Sequence, residues 1–129
     1  MILLDTHALI WLSNDPGQLS ADAVEAIRKS ESAGGLGISS ITLWELAWLA
    51  SHGRLDVLGT VDAFVRRISS RTSIRPITVE IAVLASQFPE SYPGDSCDRL
   101  IGATALAEGA ALVTKDRRIR SYKRIRTIW

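Results

Sequence analysis

Four carboxylates stand where an α/β protein would do chemistry. Asp5 closes the short apolar run Met1-Ile-Leu-Leu, and Asp116 comes shortly after the apolar segment Ala110 to Val113. Glu45 falls in the first turns of a helix expected over 40–51. Asp98 falls in the first turn of a helix expected from Asp95 or Ser96 through Leu106. Each acid has an ordinary structural role open to it. Asp5 can cap the helix that follows it, and Asp98 can favour a helix N-terminus electrostatically. Asp116 can pair with Arg117 or Arg118, and Glu45 can be solvated. Taken together those roles explain less, because Glu45 sits inside the run Leu43-Trp44-Glu45-Leu46-Ala47-Trp48. A buried carboxylate needs a partner or a metal. Clustered carboxylates raise one another's pKa, and a divalent cation removes the conflict. An all-oxygen donor set favours Mg²⁺ or Mn²⁺ over zinc. His7, His52 and the single Cys97 lack zinc-ligand spacing. They read as a helix residue, a helix-end residue and a small, partly buried side chain. Glycine motifs for phosphate loops, dinucleotides and nucleophile elbows are absent.

The elements that must position these acids follow from the pattern of apolar residues. Short apolar strands are expected at 1–4, 36–39, 73–77, 110–113 and 125–129. Between them lie helices at 6–12, after Ser20 with Ala23, Val24 and Ile27, at 40–51 and at 61–68. Thr78 caps a further helix carrying Ile81, Val83, Leu84 and Phe88, and a brief helix or turn spans 117–123. Strands alternating with amphipathic helices predict an α/β fold with a parallel sheet covered on both faces. Ligands in such folds bind beyond the carboxyl ends of the strands, which is where Asp5 and Asp116 fall.

Four segments carry a resemblance to a known family. They are Leu3-Leu4-Asp5-Thr6-His7-Ala8, Glu45 in the third helix, Asp98-Arg99-Leu100-Ile101 with Ala103 beyond, and Val113-Thr114-Lys115-Asp116. Together they resemble the PIN domain, and within it the VapC-type toxins of toxin–antitoxin pairs. The resemblance covers essentially all of residues 1–129, as a single PIN domain. It implies a three-layer α/β/α fold with a five-stranded parallel sheet, and an endoribonuclease dependent on Mg²⁺ or Mn²⁺. By position Asp5, Glu45, Asp98 and Asp116 match the family's acidic site, with Thr114 and Thr6 as supporting hydroxyls. The family often has Asp-Pro-Phe before the Asp-Arg pair. Here the residues are Asp95-Ser96-Cys97, which makes Asp95 an extra acid of undefined role. The resemblance also implies a homodimer and a small VapB-like antitoxin that blocks the site. The expected reaction is attack of metal-activated water on an RNA phosphodiester, tRNA or rRNA, leaving a 5′-phosphate and a 3′-hydroxyl.

Charge and aromatic placement add two expectations. Residues 1–52 hold two basic side chains against six acidic ones, and residues 53–129 hold thirteen against eight. Seven of the thirteen lie between Lys115 and Arg126, so Arg99, Lys115, Arg117 and Arg118 are candidates for holding the RNA backbone. Trp44 and Trp48 are four apart on one helix face, and with Trp11 they are candidates for a partner interface as readily as for core. At 129 residues and 47% apolar composition the chain reads as one globular domain. Its N-terminal apolar stretch is too short to span a bilayer and lacks a basic flank, and one cysteine forms no internal disulfide. A cytoplasmic, membrane-free protein is expected. Two other readings compete: a phosphatase or receiver-like domain, and a catalytically silent PIN-like module that binds RNA or protein. The first would want a second acid two residues after Asp5, where His7 stands, or an acidic pair before a central Asp. The second leaves four clustered negative charges without a use.

Overall fold

A computed structural model describes residues 1–129. Five strands form one parallel sheet: β1 Ile2–Leu4, β2 Leu36–Ser39, β3 Thr72–Arg75, β4 Leu112–Val113 and β5 Thr127–Ile128. Their order across the sheet is β3-β2-β1-β4-β5. Seven α-helices connect them: α1 Thr6–Asn14, α2 Ala21–Ser32, α3 Ser40–Ser51, α4 Val61–Ser69, α5 Val79–Ser86, α6 Ser96–Glu108 and α7 Arg117–Ser121. The turn cluster at Asn14-Asp-Pro-Gly becomes a short 3₁₀ helix, Pro16–Gln18. This is the three-layer α/β/α arrangement.

The layers are written into the strand residues. Successive side chains of a strand point to opposite faces. Leu4 and Val113 accordingly join one core with Leu9, Ala23, Ile27, Leu46, Phe64 and Ile68, from helices α1 to α4. Leu3 and Leu112 join the other with Ile81, Ala85, Ile101, Ala105 and Ile119, from α5 to α7. Because both faces are covered, β1 and β4 show no apolar–polar alternation in sequence.

Every α-helix opens on a side-chain cap. Ser20, Ser39, Thr60 and Thr78 accept backbone N–H bonds at the starts of α2 to α5. Asp5, Asp95 and Asp116 do the same for α1, α6 and α7. Such caps are each worth about 0.5–2 kcal/mol and fix where a helix begins. Helix α6 ends on Gly109 at φ 62, a left-handed conformation that a side chain disfavours. The strands are shorter than their apolar runs suggest: Ala110, Ala111 and Ile125 are buried but lie outside the paired residues Leu112–Val113 and Thr127–Ile128, with Ala111 lending only its carbonyl to Leu3 N at 2.9 Å. Phe88 lies past the end of α5 and packs against Tyr92 and Tyr122 instead.

Candidate active site

The strand order decides where the site lies. The chain runs from β1 outward to β2 and β3, then returns to the other side of β1 for β4. The order therefore reverses between β1 and β4, and the crevice opens at their carboxyl ends. Asp5 leaves β1 with its N–H donating to the Val113 carbonyl at 3.1 Å, so the two strand ends are in register there. Asp116 follows β4 and starts α7. A cleft of ≈ 400 Å³ opens at this point, and Asp5, Glu45, Asp95, Asp98 and Asp116 all line it. Lys115 is the one Lys or Arg along its wall.

Each acid is held by its own element. Asp5 Oδ1 accepts from the Ala8 N–H at 2.8 Å, which caps α1. Asp116 Oδ1 accepts from Arg118 N at 2.8 Å and Ile119 N at 3.4 Å, and Oδ2 lies 3.6 Å from the Arg118 guanidinium. Asp95 Oδ1 accepts from Asp98 N at 3.1 Å, so Asp95 is the cap of α6 and Asp98 stands one turn into it. Each cap engages only Oδ1, so a cap and a ligand are compatible roles for the same acid. Glu45 reaches in from α3, half-buried. The donor atoms of Glu45, Asp95 and Cys97 lie within 4.8 Å of one another, which brings Asp95 into the cluster as a full member.

The electrostatics are those of carboxylates that repel in a desolvated place. Burial raises the Asp5 pKa, and hydrogen bonds from Thr114 and Ala8 together with the His7 charge oppose the rise. The Asp98 pKa is pushed up to about 7, first by burial, then by the charges of Asp95, Glu45, Asp116 and Asp5. Burial also raises the Cys97 thiol to about 12, with Glu45, Asp95 and Asp98 adding to the effect. Cys97 is thus a neutral thiol rather than a soft thiolate ligand. The Tyr92 hydroxyl, raised chiefly by burial, stays protonated and donates to the Asp98 carbonyl at 2.8 Å. Tyr92 sits so close to α6 that a Cβ at Gly102 would lie 2.9 Å from its Cζ and 3.0 Å from Phe88 Cε2.

The two threonines sit beneath this cluster. The Thr114 hydroxyl accepts from Asp116 N at 3.2 Å, and its proximity lowers the Asp5 pKa across the two strand ends. Thr6 is buried, and its hydroxyl meets that of Thr42 at 3.1 Å, joining the start of α1 to the turn of α3 just before Glu45. The chemistry of the donor set fits a hard divalent cation: five carboxylates, no histidine–cysteine pair, and a charge conflict that a cation relieves.

Other expected residues stand elsewhere. Arg99 is a loop clamp rather than a cleft residue. Its guanidinium donates to the carbonyls of Phe88 at 2.9 Å, Pro89 at 3.2 Å and Tyr92 at 3.5 Å, which engages the group that an RNA phosphate would need. Arg118 pairs with Asp116, and Arg117 lines a separate hollow with Arg120, Ser121, Lys123 and Thr127. Trp44 and Trp48 are exposed on α3, by 56% and 38%, with Trp48 stacked on His52 at 4.1 Å. Trp11 parts from them and lines the acidic cleft together with His7. His7 and Trp11 are four apart on α1, which was the available signal, since residues four apart share a helix face.

A sequence model of the PIN domain family matches residues 2–125. The chain is 41% identical over 130 residues to Ribonuclease VapC22 of Mycobacterium tuberculosis, covering 99% of this chain and 98% of that protein. Among solved structures it resembles VapBC2 from Rickettsia felis bound to a promoter DNA fragment. The TM-score is 0.75 at 19% identity, over 98% of this chain and 97% of that one. DNA-bound VapBC from Salmonella typhimurium is similar, with a TM-score of 0.70 at 24% identity over 98% and 97% of the two chains. At those identities the likeness is one of fold.

Proposed function

The chain belongs to the PIN domain family, and from that premise we propose that it is a VapC-type endoribonuclease toxin, dependent on Mg²⁺ or Mn²⁺ and paired with a VapB-like antitoxin. The observation that carries this reading is the convergence of Asp5, Glu45, Asp98 and Asp116, with Asp95, on one cleft at the reversal of strand order. Four of these acids would hold the cation: Asp5 from β1, Glu45 from α3, Asp98 from α6 and Asp116 from α7, with Asp95 beside them. When bound, the cation supplies Lewis acidity that activates water and offsets the charge developing on phosphoryl oxygens.

The chain's own residues supply orientation and charge. The Ala8 N–H holds the Asp5 carboxylate in place, and Thr114 beside it favours the charged form. The Tyr92–Asp98 bond and the Arg99 clamp fix the start of α6, on which both Asp95 and Asp98 depend. Lys115 meets the phosphate backbone at the cleft, a contact that positions the RNA without reading its sequence. Hydrolysis forms a bond from water oxygen to phosphorus and breaks the bond to the 3′ oxygen. The products are a 5′-phosphate and a 3′-hydroxyl, and the 2′-hydroxyl takes no part as nucleophile. No helix of the chain is long and apolar enough to cross a membrane. Reducing cytoplasm suits the lone buried thiol of Cys97. The exposed Trp44–Trp48 face of α3 supports a homodimer contact, since aromatics are favoured at interface centres.

The test is cleavage of purified tRNA and rRNA by the full chain in Mg²⁺ or Mn²⁺, with EDTA and Asp98→Asn as controls. Cutting that disappears in both controls supports the reading. Metal-dependent cutting that survives Asp98→Asn removes that residue from the site. RNA binding with Mn²⁺ but no cutting of any RNA favours the silent module.

A further inference from the structure

Trp11 occupies a place that a cation site alone does not require. It lies on α1 six residues after Asp5, half-buried, and faces the same cleft as the carboxylates. Its ring has three charged or aromatic neighbours. His7 lies at 5.8 Å with 51° between planes, and Trp129 at 5.7 Å with 55°. The Lys115 ammonium lies 5.7 Å from the ring centroid. Both aromatic neighbours are tilted, so they set the plane of the indole without stacking on its face. The third neighbour is a flexible, exposed side chain near the outer limit, about 6 Å, of a cation–π contact. The cleft therefore presents a fixed aromatic surface under a cover that can move.

We propose that Trp11 and Lys115 form a nucleobase subsite at the rim of the acidic cleft, in which an unpaired RNA base stacks on the Trp11 indole while Lys115 turns from the ring to the adjoining phosphate. This inference rests on the ribonuclease reading above. A single strand offers, nucleotide by nucleotide, a π-face and a phosphate, and the pair of side chains matches both. A duplex offers no free base face, so the subsite selects for unpaired RNA. Stacking is tolerant of base identity, because every base has a π-face. His7 and Trp129 hold the indole in place, and Trp11 is the substrate-binding residue.

The test uses the full chain with Ca²⁺ in place of Mg²⁺, which occupies oxygen sites. Fluorescence anisotropy measures binding of labelled octa-adenylate and of an abasic ribose-phosphate octamer to the wild type, Trp11→Met and Trp11→Tyr. The wild type is expected to prefer the base-bearing octamer by about fivefold or more. The preference should fall below twofold in Trp11→Met and remain intermediate in Trp11→Tyr, while abasic binding stays the same in all three. Comparing the ratio of the two probes within each protein cancels losses from altered folding. Lys115→Met should weaken both octamers alike. A wild-type preference below twofold, or a preference unchanged in both Trp11 variants, overturns the proposal. The tRNA and rRNA cleavage assay is read separately. Failure to cleave refutes the nuclease reading, whereas absence of a Trp11-dependent preference refutes only the subsite.

Discussion

Replacing Asp98 with Asn should make the metal-free protein more stable at neutral pH, although it removes a residue of the proposed site. The folded-state pKa of Asp98 stands at about 7 against 3.8 for the free side chain. Between those values the folded chain binds more protons than the unfolded chain. Stability is then fully present below about pH 4 and lost as pH rises through 7. At about 1.4 kcal/mol per unit, the shift sets an upper bound of roughly 4 kcal/mol. Asp98 is only half-buried, so solvent screening reduces this to about 1–2 kcal/mol. For a chain of this length that is about 3–8 °C in Tm. Asn keeps the backbone bonds of position 98, to Tyr92 Oη and to Asp95 Oδ1, so the substitution isolates the charge. Thermal melts by circular dichroism in EDTA at pH 4.5 and 7.5 measure the effect. Mn²⁺ should then stabilise the wild type in proportion to its occupancy, and Asp98→Asn much less. The reasoning is refuted if Asp98→Asn is no more stable than wild type at pH 7.5, or if its advantage is the same at pH 4.5.

Three further outcomes are expected. Asp5→Asn should abolish RNA cleavage without loss of stability, because Asn caps a helix as well as Asp does. Asp5→Ala should unfold at lower urea concentration, by about 1 kcal/mol relative to Asp5→Asn. Gly102→Ala should cost about 1–3 kcal/mol in urea titrations through overpacking against Tyr92 and Phe88, and weaken Mn²⁺ binding by shifting the start of α6. Arg99→Gln should lower stability through the freed carbonyls at 88, 89 and 92, yet leave the salt dependence of RNA binding unchanged. Lys115→Gln should reduce that slope by about one phosphate contact, and equal slope changes in both variants would contradict the clamp role of Arg99.

Much of the fold was legible in local sequence. Apolar runs closed by Asp or Ser, followed by residues at helical spacing, mark strand-to-helix junctions, because the cap residue and the start of the helix are neighbours in the chain. Strand β2 and helix α3 accordingly fall on the residues that the pattern predicts. Asp5 and Asp116 were legible for the same reason, each being a cap at the end of a buried strand. The ends of β4 and β5 were not, since ladder pairing depends on the register of a neighbour and burial alone does not define it.

Side-chain destinations across the chain belong to tertiary structure. From sequence, Arg99 is a basic residue beside an acid. Only the approach of the 88–92 loop gives its guanidinium three carbonyls. Trp11 reads like Trp44 and Trp48, three tryptophans on helices, until the strand reversal beside β1 opens a cleft under α1 and leaves the other two facing outward. Asp95 becomes a member of the acidic cluster because α6 packs against α3 and brings it to Glu45. Sequence by itself determined the elements, their caps and the acids at their ends, because those depend on residues within a few positions of one another. Which acids share a cleft, how far their pKa values rise and which aromatic joins them depended on strand order and helix packing, which bring Asp5 together with Asp98 and Asp116 from the far end of the chain.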